Sequence, residues 1–594
     1  MPHVPETDLT GRNLDTRSRL VIAGACLTVL FSAFELKSPI FSLGPISFTT
    51  SKIAAAIFIA ASLVFAADKL RWYFSRRVLD LAVILFVASN FLSVAAATDK
   101  PGAFKFAIRL LSAALVYLAA SRLPSRSRAH LWIAGSAAAT LAIVTVIGLL
   151  ENFIAVERWP DILEPFQEGV ITFGTFYNVR ISSTLPFPTV FSMFLELMLP
   201  LALAFGIWFE ERRKSARARW WVAAGIVVFT GCVMLVQVVT FTRTALVSAP
   251  VSLVAGAALA YFYGYGRRFW IYLLLATGLL LGTVGFMTLF SDKMAARLEV
   301  APQATYYGAE YKLVSFPQTL KTGETATAQV HATNTGSIKW EPSGSDQVML
   351  GYRWIIYPGK DEYDLGPDNV RRYIPSVPAS VPPGASADIS IEFATPKDDG
   401  RYVLVFDLAK AHVGWFSSAG AAPLILPMKI VNGVSSPMTI PETADYYNAG
   451  EPAAVTPART DLWKAGLKTW AHNPVLGVGP DQFRVRYNEY SPELPHDERV
   501  RTHDIFLEAM ANTGIVGLAV MLFLLARMFM EQFRLVRNRA QAKGARYVSL
   551  ALLIASIAYM VHSLDDFFLW QTGISFLFFL YLGLTSWLEF EARG

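Results

Sequence analysis

Twelve long apolar stretches constrain the fold of this chain more than any other feature of its sequence. Most approach the roughly 20 residues that a helix needs to cross about 30 Å of hydrocarbon, whereas the first two and the eleventh are shorter. The 594-residue chain is 54% hydrophobic and only 16% charged, which exceeds what a soluble core requires. The sequence therefore predicts a mainly α, polytopic membrane helix bundle of about 12 spans. The stretches are residues 20–34, 53–67, 79–97, 103–120, 131–150, 189–209, 220–239, 244–263, 269–290, 512–530, 547–560 and 573–588.

Lys and Arg residues cluster in every second loop between the stretches. Cationic loops are retained on the cytoplasmic side, so both termini, including segment 1–19, are predicted to be cytoplasmic. The intervening loops then face outward. These clusters account for the net charge of +6, so it indicates no nucleic-acid partner. The clusters are Arg12/Arg17/Arg19, Lys69/Arg71/Arg76/Arg77, Arg122/Arg126/Arg128, Arg212/Arg213/Lys214/Arg217/Arg219, Arg267/Arg268 and Arg534/Arg537/Arg539/Lys543/Arg546.

Several classes of protein and site are excluded by what the sequence contains. Cys26 and Cys232 both lie inside apolar stretches, which excludes a disulfide framework and a cysteine-based metal site. The basic N-terminal lead is followed by no convincing small-residue cleavage site, so stretch 20–34 is expected to be retained. The chain carries no Gly-rich phosphate loop of the strand-to-helix kind, so nucleotide-driven chemistry is not expected.

One long hydrophilic excursion, residues 291–502, separates the nine spans of residues 20–290 from the three of residues 504–594. Between residues 308 and 432, short runs alternate apolar and polar positions and are separated by turn residues. This spacing predicts an extracytoplasmic β-sandwich. The segment resembles bacterial immunoglobulin-like or fibronectin-type modules, and it has no catalytic cluster, so we expect a spacer or a module that binds glycan or envelope-assembly partners. The clearest strand runs are 325–333, 387–393 and 401–407.

Four segments place charged or polar residues at the outer membrane boundary, where desolvation makes them costly unless they have a function. Arg180 precedes a span that carries Glu196, and Arg243 lies between the seventh and eighth spans. Arg459 and His503 mark the third and fourth segments. Arg180 is expected either to contact a substrate or to brace its loop, and Glu196 either to line a cavity or to pair with a buried cation.

The third segment belongs to a predicted outer loop, residues 440–503, with short helices. Thr460 or Asp461 is expected to cap a helix, and Pro474, Gly477 and Gly479 to end it. The periodicity predicts that the apolar face of this helix consists of Leu462, Trp463, Gly466, Leu467 and Trp470.

The fourth segment has a recognisable spacing. His503 is followed by a polar residue, Asp504, then by nine residues, Gly514, two residues and Gly517. This frame resembles the O-antigen ligase and O-antigen polymerase superfamily of bacterial envelope glycan assembly. The family more often has Asn, Ser or Gln where this chain has Asp504, so the role of that side chain departs from the family pattern.

Two arginines and one phrase extend the resemblance. Arg243 matches an outer-mouth arginine of the family, and Arg459 matches an arginine just ahead of a Trp-containing helix. The phrase HNPVLGVGPDQF, residues 472–483, is a further hallmark. The resemblance covers roughly residues 20–300 and 440–590, and the β-rich insert lies outside it.

The resemblance implies a glycosyltransferase of the bacterial inner membrane whose active site faces the periplasm. It would move an oligosaccharide or polysaccharide from a polyprenyl-pyrophosphate carrier to an acceptor hydroxyl on a glycan or a lipid-linked molecule. By resemblance, Arg243 and Arg459 bind the pyrophosphate, since guanidinium groups offer paired planar donors. His503 acts as general base, for which imidazole is suited at neutral pH. We expect an inverting, metal-independent reaction without a cofactor and with the lipid tail between helices.

Four further residues, Arg180, Trp463, Asp504 and Glu508, are predicted to bind substrate. Ligase and polymerase chemistry share this predicted site, and the residues do not separate them. A transporter or flippase, and a non-catalytic membrane protein whose β-module binds an envelope partner, remain as alternatives. His496–Asp497 and His503–Asp504 also permit a metal cluster.

Overall fold

The structure, a computed structural model, describes residues 14–43, 46–66, 77–125, 127–153, 162–163, 165–167, 180–290, 307–343, 347–357, 363, 375–410, 414–417, 421–439, 459–492 and 500–593. The described helices are α1 (Thr16–Phe31), α2 (Thr50–Ala66), α3 (Val78–Ser93), α4 (Lys100–Ser121), α5 (Ala129–Phe153), α6 (Pro188–Glu211), α7 (Ala216–Val239), α8 (Ala245–Phe262), α9 (Arg267–Phe290), α10 (Arg459–His472), α11 (Phe483–Tyr490), α12 (Ile505–Arg537), α13 (Lys543–His562) and α14 (Thr572–Arg593).

Ten helices in the described part of the chain are long and apolar enough to cross a membrane. The first two predicted spans coincide with α1 and α2, which have only 16 and 17 residues. The eleventh, which is short as an apolar stretch, lies in the 20-residue helix α13. The chain is therefore a multi-pass membrane protein with mainly helical structure, and the predicted total of about 12 spans stays a prediction.

The centre of the helical unit is formed by α6, α13 and α14, which are the most buried of the ten candidate spans. Helix α13 packs against α6 and α8, and α14 packs against α4. The peripheral helices instead expose large apolar side chains, such as Ile84, Val228 and Leu289. Exposed apolar surface of this kind is expected where a helix faces hydrocarbon instead of water.

Basic side chains gather at one end of this unit, where α6 ends and α9 and α13 begin. Glu210 pairs with Arg268, and Glu211 lies 2.7 Å from the Lys543 ammonium. At the other end of α13, the turn that follows it is contacted by Arg459 and His503, two of the residues predicted to act chemically. This separation is what the alternation of loop charge predicts, and the assignment of the two ends to cytoplasm and periplasm stays a prediction.

A second compact unit contains the β-structure of the excursion. Its described strands are β3 (Ala309–Ser315), β4 (Thr325–Asn334), β5 (Val348–Ile356), β6 (Ser386–Ala394), β7 (Gly400–Lys410), β8 (Gly414–Trp415), β9 (Leu424–Val431) and β10 (Val434–Pro437), numbered after a short hairpin of β1 (Phe41–Leu43) and β2 (Ile46–Phe48) in the helical unit. These strands pair antiparallel in two sheets, with the orders β10-β9-β7-β5 and β3-β4-β6, and β8 pairs with β7. The two sheets share one core, which includes Trp340, Trp354, Phe393 and Phe406.

The three predicted strand runs, 325–333, 387–393 and 401–407, are confirmed, since they lie within β4, β6 and β7. Strand β10 lies beyond residue 432, the predicted end of the module. The alternation of apolar and polar residues on β6 sends Ile389, Ile391 and Phe393 into the core. The likeness to immunoglobulin modules stays a prediction.

Candidate active site

The phrase at residues 472–483 docks against a break in α12. Gly514 interrupts that helix with φ 63° and ψ −164°, a conformation essentially restricted to glycine. A Cβ atom at Gly514 would lie 2.2 Å from the carbonyl oxygen of Val475. The next residue, Ile515, donates its N–H to the carbonyl of Pro474 at 2.9 Å. Gly514 therefore permits a backbone-to-backbone approach that any side chain would block.

The same loop contacts the turn before the break. Val478 donates its N–H to the carbonyl of Ala511, and Gly479 donates to that of Asn512, at 3.0 and 2.9 Å. A Cβ atom at Gly477 would lie 2.4 Å from the Asn512 carbonyl carbon. The glycines of the phrase, expected to end α10, thus also hold the loop on α12.

Asn512 connects this loop to the segment that carries His503. Its amide oxygen accepts the N–H of Phe483, and its amide nitrogen donates to Glu508, both at 2.8 Å. Glu508 in turn accepts the N–H and the hydroxyl of Thr502 at 2.9 and 2.8 Å. Glu508 is only 1% exposed and is engaged by protein groups. Its predicted contact with substrate stays a prediction, and its visible contacts position the residue before His503.

His503 itself has a φ of 58°, in the left-handed region that non-glycine residues seldom adopt. The next residue, Asp504, caps α12, because its carboxylate accepts the N–H groups of Phe506 and Leu507 at 2.9 and 2.8 Å. The turn places the His503 ring against Asp566, with Nδ1 3.2 Å from Oδ1. Asp504 thus fixes the start of the helix while His503 points to another element.

That element is the turn between α13 and α14, which contains Asp565 and Asp566. The Nε of Arg459 lies 3.3 Å from Asp565 Oδ1, and the hydroxyl of Thr244 donates to the other oxygen of Asp565. Arg243, which immediately precedes Thr244, is solvent-exposed. Arg459 and His503 therefore meet directly on this acidic turn, and the segment of Arg243 reaches it through its neighbour.

Asp565 and Asp566 were not among the residues predicted from the sequence. The sequence does contain a signal for them, because the pair lies between the last two apolar stretches, at a predicted membrane boundary where charged residues are costly unless they have a function. Neither residue belongs to the spacing that carries the family resemblance. Their role is visible only through the residues that they contact.

The electrostatics of the acidic turn favour an Asp566 that is ionised at neutral pH. Burial would raise its pKa, but the hydrogen bond and charge of His503, the charge of Arg459 and the N–H of Phe567 together lower it to about 2. An ionised Asp566 is a hydrogen-bond acceptor only, so it favours the tautomer in which Nδ1 of His503 carries the hydrogen and donates it to Asp566. In the neutral imidazole, Nε2 is then the nitrogen that accepts protons.

Two buried donors lie on one face of α10. Arg459 and Trp463 are four residues apart, which places them one above the other on a helix. In the described part of the chain, neither Nη1 of Arg459 nor Nε1 of Trp463 has a hydrogen-bond partner. A buried donor without an acceptor is unfavourable by about 1–3 kcal/mol. The pair is therefore suited to bind oxygens of an anionic ligand beside Asp565.

Arg180 and Glu196 occupy supporting positions. The Nε of Arg180 donates to the Thr240 carbonyl at 2.9 Å, and its Nη2 donates to the Thr242 hydroxyl at 3.1 Å. These bonds brace the turn that precedes Arg243, and contact with substrate stays a prediction for Arg180. Glu196, buried in α6, lies 3.2 Å from the His562 ring.

Two details predicted for α10 are wrong. The helix already includes Arg459, so Thr460 and Asp461 lie in its first turn and do not cap it. Leu467 is 47% exposed, because it lies about 140° around the helix from Leu462 at 100° per residue. The face that is buried consists of Leu462, Ala465, Gly466 and Thr469.

The metal cluster considered for the sequence includes His496 and Asp497, which lie outside the described residues. Within the described ranges, no group of three or more His, Cys, Asp or Glu side chains is arranged to hold a metal ion. The predicted catalytic and substrate-binding residues themselves are all described.

Comparison with known families agrees with this geometry. Residues 403–522 match the sequence model of the O-antigen ligase family. The match includes α10, the docked loop, His503 and the break at Gly514, and it begins within β7, so it also overlaps the β-unit. No curated protein matches the chain significantly. Residues 403–522 are therefore similar to the O-antigen ligase family, and this similarity supports the predicted membership of the O-antigen ligase and O-antigen polymerase superfamily.

Proposed function

We propose that this protein transfers an oligosaccharide or polysaccharide from a polyprenyl-pyrophosphate donor to an acceptor hydroxyl at the periplasmic face of the bacterial inner membrane. The observation that carries the proposal is the convergence of His503 and Arg459 on Asp566 and Asp565. The O-antigen ligase match supports glycan transfer at the family level.

The pyrophosphate would bind between α10 and the start of α8. Arg459 Nη1 and Trp463 Nε1 are buried donors on one helix face, and exposed Arg243 lies next to Thr244, which is bonded to the acidic turn. Donors placed where negative charge develops stabilise a leaving group, and they do so most effectively away from water. Arg459 and Arg243 supply that positive charge.

His503 would act as the general base. As the acceptor oxygen attacks the anomeric carbon, its proton passes to Nε2 of His503. The bond between that carbon and the phosphate oxygen breaks, and the pyrophosphate leaves with the bonding electrons. Asp566, ionised with a pKa of about 2, stabilises the imidazolium that forms. Attack opposite to the leaving group inverts the anomeric configuration.

The decisive experiment uses the full chain in lipid nanodiscs with a polyprenyl-pyrophosphate oligosaccharide. Products are separated by gel with and without a lipid-linked acceptor. A ladder from donor alone indicates a polymerase, and one shifted acceptor band indicates a ligase. We expect His503→Ala to abolish either product.

His472→Ala is the matched control, since His472 ends α10 and is exposed. Among described groups, its ring forms a hydrogen bond with the Lys468 carbonyl and packs against the Tyr490 ring. Wild-type transfer by His503→Ala would contradict the proposed base. If the wild-type protein gave no product either with or without the acceptor, the transporter or the binding-protein alternative would be favoured.

A further inference from the structure

A second group of charged residues lies at the other end of the α13–α14 turn. We call it the Trp570 cluster, and it consists of Arg109, Asp481, Arg484, Arg501 and Trp570. The guanidinium carbon of Arg501 lies 4.8 Å from the centre of the Trp570 ring, and Arg109 donates to the Trp570 carbonyl at 2.6 Å. The cluster joins α4, α11, the docked loop and the residues just before His503.

Positive charge is in excess within this cluster. Arg501 bonds one oxygen of Asp481, and Arg484 bonds the other at 3.0 Å. Arg109 interacts electrostatically with Asp481, but it also faces the positive charges of Arg501 and Arg484. Three guanidinium groups thus surround one carboxylate whose two oxygens are already occupied.

Two further carboxylates lie near the cluster and offset part of its positive charge. Glu508 lies 3.8 Å from Arg501, yet its oxygens accept from Thr502 and Asn512. Glu35, which interacts with Arg109, accepts the hydroxyl of Thr49 at 2.9 Å and the N–H of Gly573 at 3.1 Å. Lys52, which interacts electrostatically with Arg109 and Glu35, adds a fourth positive charge. The four cations Arg109, Arg484, Arg501 and Lys52 therefore exceed the three acids Asp481, Glu508 and Glu35 by one.

A buried donor provides an independent indication of a ligand. The Arg501 side chain is only 10% exposed, and its Nε has no hydrogen-bond partner in the part of the chain that the structure describes. A purely structural ion cluster is expected to satisfy the donors that it buries. An anionic oxygen at this position would satisfy Nε and neutralise the excess charge.

The position of the cluster relative to His503 assigns it to one substrate. Arg501 precedes His503 by two residues, so their Cα atoms are at most about 7 Å apart. Trp570 follows Asp566 by four residues, which is at most about 14 Å of extended chain. Arg459, one of the groups proposed to bind the pyrophosphate, instead contacts the turn at Asp565, whereas Arg109 and Arg501 contact Trp570. A group bound by Arg501 would therefore lie near His503 without sharing the contact of Arg459, which favours the acceptor as its source.

We propose that the Trp570 cluster is an acceptor subsite that binds an anionic group of the acceptor, either a sugar carboxylate or a lipid-linked phosphate. The assignment of this site to the acceptor rests on the proposed function, whereas the binding of an anion does not. Arg501 and Arg109 would bind the anion, and Arg484 would keep Asp481 occupied so that Asp481 does not compete for it.

Binding is tested with the full chain in zwitterionic nanodiscs by calorimetry. The probes are trigalacturonate, its uncharged methyl ester and dihexanoyl phosphatidate. We expect at least one charged probe to bind about tenfold or more tightly than the ester, and Arg109→Gln to weaken that binding about tenfold. Arg109→Lys should restore much of it. The preferred charged probe identifies carboxylate or lipid phosphate as the source.

Arg486→Gln is the control, because Arg486 lies on the same helix as Arg484 but pairs with exposed Glu489. Equal binding of charged and neutral probes, or unchanged binding by Arg109→Gln, would overturn the anionic site. In the transfer assay, Arg109→Gln should raise the KM for an anionic acceptor about tenfold and leave kcat and the donor KM unchanged. If the wild-type protein transfers nothing, the proposed function fails, whereas the binding measurement still decides the subsite.

Discussion

Asp566 Oδ1 lies 3.2 Å from His503 Nδ1, although the two residues are 63 positions apart in the chain. The pair joins the start of α12 to the turn before α14. It also joins His503, which belongs to the spacing that resembles O-antigen ligases, to Asp566, which lies outside that spacing. The pair therefore gives predictions for both stability and transfer.

The first prediction concerns the pH dependence of stability. Asp566 has a pKa of about 2 in the folded protein, below its ordinary value of 3.8. A lowered carboxylate pKa stabilises the fold above pH 3.8, and this contribution is lost as the pH falls through 2. The shift corresponds to about 2 kcal/mol. The thermal unfolding midpoint of the wild-type protein should therefore fall more steeply between pH 5 and pH 2 than that of Asp566→Asn. If the unfolding midpoints of the two proteins changed in parallel with pH, the ionised pair of Asp566 and His503 would be contradicted.

The second prediction concerns the donors on α10. Trp463→Phe keeps an aromatic ring but removes the indole N–H. Arg459→Lys keeps the charge but removes the planar guanidinium group that could bind Asp565 and pyrophosphate together. Each change should reduce kcat/KM for the donor about tenfold or more, measured with the acceptor at saturation. Trp470→Phe should have little effect, because its indole N–H already donates to the Pro474 carbonyl at 3.3 Å. Full activity of both variants would contradict the proposal that α10 binds the pyrophosphate.

The third prediction concerns the break in α12. Gly514→Ala would place a Cβ 2.2 Å from the Val475 carbonyl oxygen, in a backbone conformation that strains other residues by about 1–3 kcal/mol. We expect a lower thermal unfolding midpoint and faster hydrogen exchange in residues 473–482. Gly278→Ala is the control, since nothing lies within 4 Å of a Cβ at that helical position. Equal stability of the two variants would contradict the docked arrangement.

The fourth prediction separates two roles for Glu508. Glu508→Gln would present an amide N–H₂ to the donors of Thr502 or Asn512, so the segment before His503 would lose its alignment. If Glu508 positions the segment before His503, kcat should fall about tenfold while the KM values for donor and acceptor stay unchanged. This fall is in keeping with a penalty of about 1–3 kcal/mol for an unsatisfied donor. A rise in KM with constant kcat would instead show the substrate contact predicted from the sequence. Glu489→Gln, at an exposed surface pair, is the control.

The sequence by itself determined the membrane architecture and the local signals of the site. A helix buried in hydrocarbon needs a continuous apolar run, and a strand with one buried face needs alternating apolar and polar residues. Both patterns can therefore be recognised from residues close together in the sequence. The run 401–407 became β7 for this reason, and the stretch 547–560 became α13. The glycine spacing after His503 could likewise be recognised in the sequence. The sequence did not reveal the reason for it, which is the close approach of Gly514 to the Val475 backbone.

Only the tertiary structure decided which charged residues meet. Asp565 and Asp566 have no local pattern that connects them with Arg459 or His503, because their pairing depends on how α10, α12 and α13 pack together. The same holds for Arg109 and Arg501, which lie nearly 400 residues apart in the chain. Local periodicity reports the environment of each residue, whereas a site joins side chains from distant segments, and the packing of the helices alone brings these together.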